Sequence, residues 1–165
     1  MTKISRIYIA IIVALFGGLF CFSTPADLKA ADGGSQRLIQ DAHRGIIEAQ
    51  YTLGHLYFRG FLEVEKDWRR SVFWLEQAAR GGHHDAPFDL GMLYLNMGNR
   101  DKTLYWLRYA AEANHMDAAY FLGLALAEQN PRESAEFLKQ SADAGHREAG
   151  EKYREICLAT PALCQ

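Results

Sequence analysis

The sequence predicts an all-α fold built from repeated helix pairs. One spacing occurs three times: an Asp or Asn suited to start a helix is followed fifteen residues later by a Gly or Asn suited to end it. The pairs are Asp67 and Gly82, Asn99 and Asn114, and Asn130 and Gly145. Asp and Asn side chains accept hydrogen bonds from the free N–H groups at a helix start, and Gly or Asn tolerates the left-handed turn after the end. Three helices of equal length with matching ends indicate a helical repeat protein.

The interiors of the units align as well. The second helix of each unit, helix B, carries an aromatic, a leucine and an alanine at fixed places: Trp74, Trp106 and Phe137; Leu75, Leu107 and Leu138; Ala79, Ala111 and Ala142. The preceding helix, helix A, repeats in the same way: Ala49, Ala86 and Ala118; Leu53, Leu90 and Leu122; Gly54, Gly91 and Gly123. The offsets are 37 and 32 residues, and the five extra residues of the first unit lie within residues 60–66. Helix pairs this short cannot bury their apolar faces alone, so they must stack on their neighbours.

These positions resemble a known repeat. Residues 48–57, then Gly60, Val64 and Asp67, and then Trp74, Ala78, Ala79, Gly82 and His83 resemble the Sel1-like repeat, a relative of the tetratricopeptide repeat. The second and third units lack the Gly-Val loop but keep the Leu-Gly pair, the aromatic and the alanine pair. The resemblance covers roughly residues 35–157. It implies a short right-handed α-solenoid of about three repeats, with a half repeat before them (35–45) and a capping helix after them (147–157), where Arg154 replaces the packing glycine.

The N-terminus is typical of a secretory signal. Lys3 and Arg6 precede an uncharged apolar run over residues 7–22, and small residues follow it. We expect a signal peptide at 1–26, a linker at 27–34, the repeat domain at 35–157 and a tail at 158–165. Cleavage before Asp27 is the first choice, and a cut after Ala30 is the second. The sixteen apolar residues fall short of the ~20 that usually span a bilayer, although an uncleaved anchor stays an alternative.

Cysteine count supports the same compartment. Removing the signal, which contains Cys21, leaves Cys157 and Cys164. An even number in an oxidising compartment predicts a disulfide between them, which would hold the tail against the last helix. Two unpaired thiols are the alternative. The expected location is therefore the periplasm or the extracellular medium.

Charge excludes some partners. Taking Lys3 and Arg6 from the 18 basic residues leaves 16 against 20 acidic ones, and no basic stripe is present. Nucleic-acid binding therefore has no electrostatic support. The sequence contains no polybasic amphipathic stretch of the kind that binds a membrane surface. We therefore expect no membrane association unless the signal is retained. We expect a monomer.

Candidate chemistry is sparse, so we expect no catalytic residue, cofactor or metal. His83, His115 and His146 recur at one turn position, which indicates architecture, and successive turns lie roughly 10 Å apart at helix packing distance. The doublet His83-His84 with Asp85 is the only local cluster, and adjacent residues rarely direct their rings to one point. No serine or carboxylate pair is matched with an evident base, and no phosphate loop appears.

The informative positions are those that vary between units on the face of helix A opposite the small and leucine positions. In related solenoids this face lines the concave side. We name these nine residues the helix-A groove: Thr52, His55, Arg59, Asp89, Met92, Asn96, Phe121, Leu124 and Glu128. Phe121 and Leu124 exposed together would be hard to explain without a partner. The alternative is that the terminal helix folds over them.

The sequence therefore predicts an exported, non-enzymatic adaptor that binds a partner protein or peptide in this groove. One alternative is an envelope hydrolase, because cysteine-rich members of the family have been linked to β-lactam hydrolysis. Those members carry a cysteine pair inside each repeat, which this chain lacks. A second alternative is a membrane-anchored scaffold with an uncleaved signal.

Overall fold

The computed structural model describes residues 25–60 and 65–164, with side chains described from residue 34 onward. Two units are distinguished, Met1–Gly34 and Ser35–Gln165. Every described secondary-structure element is helical. The eight α-helices are α1 (Pro25–His43), α2 (Ile47–Arg59), α3 (Trp68–Arg80), α4 (Ala86–Asn96), α5 (Arg100–Glu112), α6 (Met116–Leu126), α7 (Pro131–Asp143) and α8 (Arg147–Ala159), and a 3-10 turn (Pro161–Leu163) follows. From α2 to α8, each helix packs on the next in chain order, as in an α-solenoid.

The predicted helix starts are confirmed. Asp67 accepts hydrogen bonds from the backbone N–H groups of Arg69 and Arg70, at 2.9 and 3.0 Å. Asn99 and Asn130 each accept one bond from the N–H three residues later, at 3.1 and 3.3 Å. These bonds satisfy donors that a helix leaves free at its first turn, which is why α3, α5 and α7 begin at equivalent residues.

The predicted stops are confirmed by the backbone. Gly82, Asn114 and Gly145 adopt positive φ values of 93°, 62° and 102°. The leading half repeat ends in the same way, because Gly45 has φ 87°. A left-handed residue after the helix reverses the chain, so the next helix A returns along the helix B it follows.

Packing inside each pair depends on the helix-A glycine. A Cβ at Gly123 would lie 2.7 Å from Cγ of Leu138, and one at Gly91 would lie 2.8 Å from Cδ2 of Leu107. A Cβ at Gly54 would likewise lie 2.7 Å from Cγ of Leu75. Only glycine permits this close approach of helix A to the leucine of helix B.

Three clusters of buried side chains form the core, and each joins successive units. In the first, Ala42 of α1 meets Leu53 of α2 and Trp74 of α3. The second is centred on Leu90 and includes α3 and α4, and the third is centred on Leu122 and includes α5 and α6.

Side-chain hydrogen bonds to backbone carbonyls also join neighbouring helices. Gln140 donates to the carbonyl of Ala111 at 2.7 Å, and Ser141 donates to the carbonyl of Met116 at 2.9 Å.

Residues 27–34, for which a linker was expected, lie inside α1, and the second unit begins at Ser35. Ala and Leu favour helix, and Gly33 and Gly34 are the only strong opposing residues in the segment. The predicted signal lies outside the described residues except for Pro25 and Ala26. Among the described helices, none is long and apolar enough to cross a bilayer.

The helix-A groove as candidate functional site

The helix-A groove is presented by three helices that share one orientation. Burial of the opposite face, around Leu53, Leu90 and Leu122, turns the groove positions away from the core, except for Phe121, which packs against it. Five of these groove side chains are exposed: Thr52, Arg59, Asn96, Leu124 and Glu128. The other four are half-buried: His55, Asp89, Met92 and Phe121. The positions predicted from the sequence therefore form a mixed surface with polar edges.

A hydrogen-bonded cluster fixes the first two units of the groove. Oδ2 of Asp89 on α4 accepts the phenol O–H of Tyr51 at 2.8 Å and lies 2.9 Å from Nε2 of His55, both on α2. Burial, reinforced by the bond to Asp89, raises the pKa of the Tyr51 phenol, so the phenol stays a donor. One carboxylate thus ties two neighbouring A helices together, which limits side-chain motion in the groove.

Two cavities open along this part of the groove. A cavity of about 410 Å³ is lined by Tyr51, Thr52, His55, Leu56 and Arg59 of α2. A smaller one of about 60 Å³ lies between the first two units, and its lining includes the groove residues His55, Asp89, Met92 and Asn96. His55 lines both cavities. Six of the nine groove side chains thus border the two cavities: Thr52, His55, Arg59, Asp89, Met92 and Asn96.

Phe121 does not share the exposure expected for it. Its ring is half-buried against the Leu122 cluster and lies 5.9 Å from the ring of Phe88, centroid to centroid. The neighbouring unit covers it, because the two A helices are close enough for aromatic contact. Leu124 is 39% exposed, so the apolar surface of the third unit comes from Leu124 rather than from both residues.

The recurring histidines have a structural arrangement. The ring of His115 stacks on Phe88 of the preceding helix A at 4.7 Å, and its Nδ1 accepts the backbone N–H of Ala118 at 3.2 Å. Equivalent stacks join His83 to Tyr51 at 3.8 Å and His146 to Tyr120 at 4.3 Å. His115 and His146 therefore cap the next helix A, and His83 accepts the backbone N–H groups of Asp85 and Ala86 just before and at the start of α4. All three rings pack against the previous helix A.

Each of these rings also faces an acid at the start of the preceding helix A. Nε2 lies 3.6 Å from Glu48 for His83, 3.5 Å from Asp85 for His115 and 3.7 Å from Asp117 for His146. Because Nδ1 accepts a backbone N–H, a neutral ring carries its proton on Nε2, where it faces the acid. The sequence showed the repeated position, but the cap, the stack and the acid were not predicted.

One histidine cluster has the residue types of a metal site. His84, Asp85 and His115 place one ligand atom each within 4.8 Å of one another. The sequence indicated only His83, His84 and Asp85, because His115 reaches the cluster from the next turn. Ligation through Nε2 of His115 would move its proton to Nδ1, where it would oppose the N–H of Ala118. Helix capping and metal binding exclude each other at this ring.

The Asp89–His55 pair is the nearest approach to a catalytic arrangement in the described part of the chain. A nucleophile would have to lie within hydrogen-bond reach of the histidine. The hydroxyl of the adjacent Thr52 instead donates to the carbonyl of Glu48 at 2.7 Å. The described groove residues therefore do not assemble a nucleophile with a base.

The C-terminal tail is held at the end of the last unit. The structure joins Cys157 of α8 to Cys164 by a disulfide, with 5.6 Å between the Cα atoms. The tail also borders a cavity of about 210 Å³, whose lining includes Leu163 of the tail, Ala135 of α7 and Tyr153 of α8. Arg154, predicted to mark the end of the stack, is exposed.

Comparison with known proteins agrees with this architecture. The Sel1 repeat model matches residues 47–83, 85–115 and 117–146, which together make up more than half of the chain. Comparison with curated proteins finds no match.

Two solved structures share the fold. A protective antigen of uropathogenic Escherichia coli strains, displaying an SLR fold, has a TM-score of 0.65 at 27% identity over 74% of this chain. The match spans only 28% of that antigen's length. A Sel1 repeat protein from Oxalobacter formigenes has a TM-score of 0.63 at 24% identity over 73% of this chain and 96% of its own. With three matched repeats and the helix pairs in place, the chain belongs to the Sel1 repeat family.

Proposed function

We propose that this protein is an exported adaptor without enzymatic activity, which binds a partner protein or peptide in the helix-A groove. Sel1 repeats generally mediate protein–protein interaction. The observation that carries the proposal is the Asp89 cluster with Tyr51 and His55, because it holds two A helices in one arrangement beside two cavities. A surface that is rigid before binding loses little entropy when a partner docks.

The groove residues can provide both affinity and specificity for a partner. Met92 and Leu124 offer apolar surface, while His55, Asp89 and Arg59 offer polar groups at set positions. Interfaces commonly combine an apolar centre with a polar rim. The variation of these residues between units supports recognition of one particular partner.

A crosslinking pull-down from the cell envelope tests the groove. The test variant carries Glu in place of His55, Met92 and Leu124. The control variant carries Glu in place of Tyr105 and Leu158, which are 61% and 84% exposed and lie outside the groove. Circular dichroism first establishes that both variants are folded. We expect the partner to be lost from the groove variant alone, and equal recovery with both variants would contradict the proposal.

Export is the second part of the proposal. It is supported by the signal-like sequence of residues 1–26 and by the Cys157–Cys164 disulfide, since such bonds persist in oxidising compartments. The intact mass of the envelope protein tests it. We expect a chain that starts at Asp27 and lacks two hydrogens because of the disulfide. A full-length chain would instead support the membrane-anchored scaffold.

The absence of enzymatic activity is tested with nitrocefin. The hydrolase alternative rests on family members with a cysteine pair inside each repeat, whereas the described cysteines of this chain lie in α8 and the tail. We expect no hydrolysis by the purified protein. Turnover above that of a heat-denatured sample would overturn this part of the proposal.

A further inference from the structure

The last turns of the three A helices place charges of opposite sign at the two ends of one row. Arg59 ends α2, Asn96 ends α4 and Glu128 follows the end of α6. These residues occupy equivalent positions, since they are separated by 37 and 32 residues, the offsets of the repeat. All three are exposed. The row therefore changes from positive through neutral to negative along the groove.

Neither end charge is paired within the described part of the chain. The ion pairs there involve other residues, and none includes Arg59 or Glu128. The C-terminal end of a helix carries a partial negative charge, which favours Arg59 but repels the carboxylate of Glu128. Among the residues that the structure describes, no ion pair compensates the charge of Glu128.

Between the two end charges lie apolar residues and charged groups that already have partners. Arg100, an exposed cation at the start of α5, donates to the backbone carbonyl of Ala125 at 3.0 Å. Met92 is half-buried and Leu124 is 39% exposed. Asp89 is the acidic residue between them, and its Oδ2 is occupied by Tyr51 and His55. An occupant of the groove would therefore meet a cation first, then apolar surface, and then an anion.

We propose that the bound partner segment is an extended peptide with an acidic residue toward one end and a basic residue toward the other. The acidic residue pairs with Arg59, the basic residue pairs with Glu128, and apolar side chains between them contact Met92 and Leu124. This inference rests on the proposed function, because it describes the occupant of the same groove. The opposed charges fix the direction in which the peptide lies.

Geometry sets the spacing of the two peptide charges. Neighbouring packed helices lie roughly 10 Å apart, so Arg59 and Glu128 are about 20 Å apart across two steps. An extended chain advances about 3.3 Å per residue, so the acidic and basic residues should be about six positions apart.

Selection from a phage library of random twelve-residue peptides tests this inference on the purified full chain. Arg59→Glu is the test variant. Arg147→Glu is the matched control, because Arg147 is an exposed cation at the start of α8, outside the row. We expect the unmodified protein to select apolar peptides with opposite charges about six positions apart. Arg59→Glu should lose the acidic preference but keep the basic one, and should weaken binding of a selected peptide roughly tenfold. Arg147→Glu should change neither.

The outcomes separate this inference from the proposed function. Selected peptides without spaced opposite charges, or peptides that bind Arg59→Glu as well as the unmodified protein, would overturn the inference alone. Failure of the unmodified protein to select any peptide, together with equal partner recovery in the pull-down, would overturn both. A Glu128→Arg variant that loses only the basic preference would support the inference from the other end of the row.

Discussion

The turn histidines show how much one side chain can contribute to a repeat junction. His115 accepts the Ala118 N–H, stacks on Phe88 and faces Asp85. Replacement by Ala removes the cap and the stack together. We expect His115→Ala to lower the free energy of unfolding by about 1–3 kcal/mol, the sum of a lost helix cap and a lost aromatic contact. Urea denaturation followed by circular dichroism measures this.

A second substitution at His115 separates the two contributions. Asn retains a side-chain acceptor suited to the helix start but cannot stack, so His115→Asn should lose less stability than His115→Ala. If both variants are as stable as the unmodified protein, the ring is not a structural element of the junction.

Residue roles were predictable where one residue type performs one local task. The caps at Asp67, Asn99 and Asn130 depend only on neighbours in the sequence, and they were predicted correctly. The contacts of Phe121 and Asp89 depend on how close successive units approach. That distance is set by packing across the repeat junction, which periodicity does not encode.

At the scale of the helix pair, the packing glycine is the critical feature. A methyl group at Gly123 would lie 2.7 Å from Cγ of Leu138 and 3.2 Å from the carbonyl oxygen of Ser134. We expect Gly123→Ala to destabilise the protein by about 1–3 kcal/mol, as overpacking does, although Ala favours helix. Thermal and urea unfolding provide the measurement.

The last unit supplies a matched control for the glycine. Gly150 is also helical, but a Cβ there would meet only Cβ of Ala142 at 3.7 Å. Gly150→Ala should therefore be neutral or stabilising by up to about 1 kcal/mol, since only the helix propensity changes. Equal loss of stability in both variants would show that close packing is not the cause.

Neighbouring B helices are joined by an ion pair whose effect depends on pH. Arg108 of α5 donates to Glu133 of α7, and this bond lowers the pKa of the Glu133 carboxyl below 4.5. The folded pKa lies below the unfolded one, so the stabilisation is present above about pH 4.5 and is lost as the pH falls through the folded pKa. We expect Glu133→Gln to cost under about 1 kcal/mol at neutral pH, because the pair is partly exposed.

Urea unfolding of Glu133→Gln and the unmodified protein at several pH values measures that difference. The difference should shrink in acid and disappear once Glu133 is protonated in both states. Glu136→Gln is the control, since Glu136 lies on the same helix and, among the described residues, forms an ion pair with Arg132 alone, at 3.8 Å. A difference that stays constant with pH would contradict the assignment to Arg108.

The repeat count and the order of the helices were predictable from the sequence because each unit repeats the same apolar and glycine pattern. The helix over residues 27–34 was not, since a small polar segment carries no periodic apolar face. For the groove, the sequence identified the residues that face away from the core, except for Phe121, which packs against it. It did not identify the hydrogen bonds between units, which arise only when the helices are stacked.

At the scale of the whole molecule, a solenoid must end its stack without exposing another packing face. Here the tail closes the C-terminal end, where the Cys157–Cys164 bond holds Leu163 near Ala135 of α7. Replacing both cysteines by Ser should lower the free energy of unfolding by up to about 2.5 kcal/mol, the chain-entropy value for a loop of about eight residues.

Hydrogen exchange of the double variant should rise first at residues 161–164 and then along α8, because the tail would separate from the helix it covers. Tyr105→Ser, at an exposed position of α5, is the control and should leave exchange in this region unchanged. If the double variant exchanges like the unmodified protein, apolar contacts alone hold the tail, and the end of the solenoid closes without the disulfide.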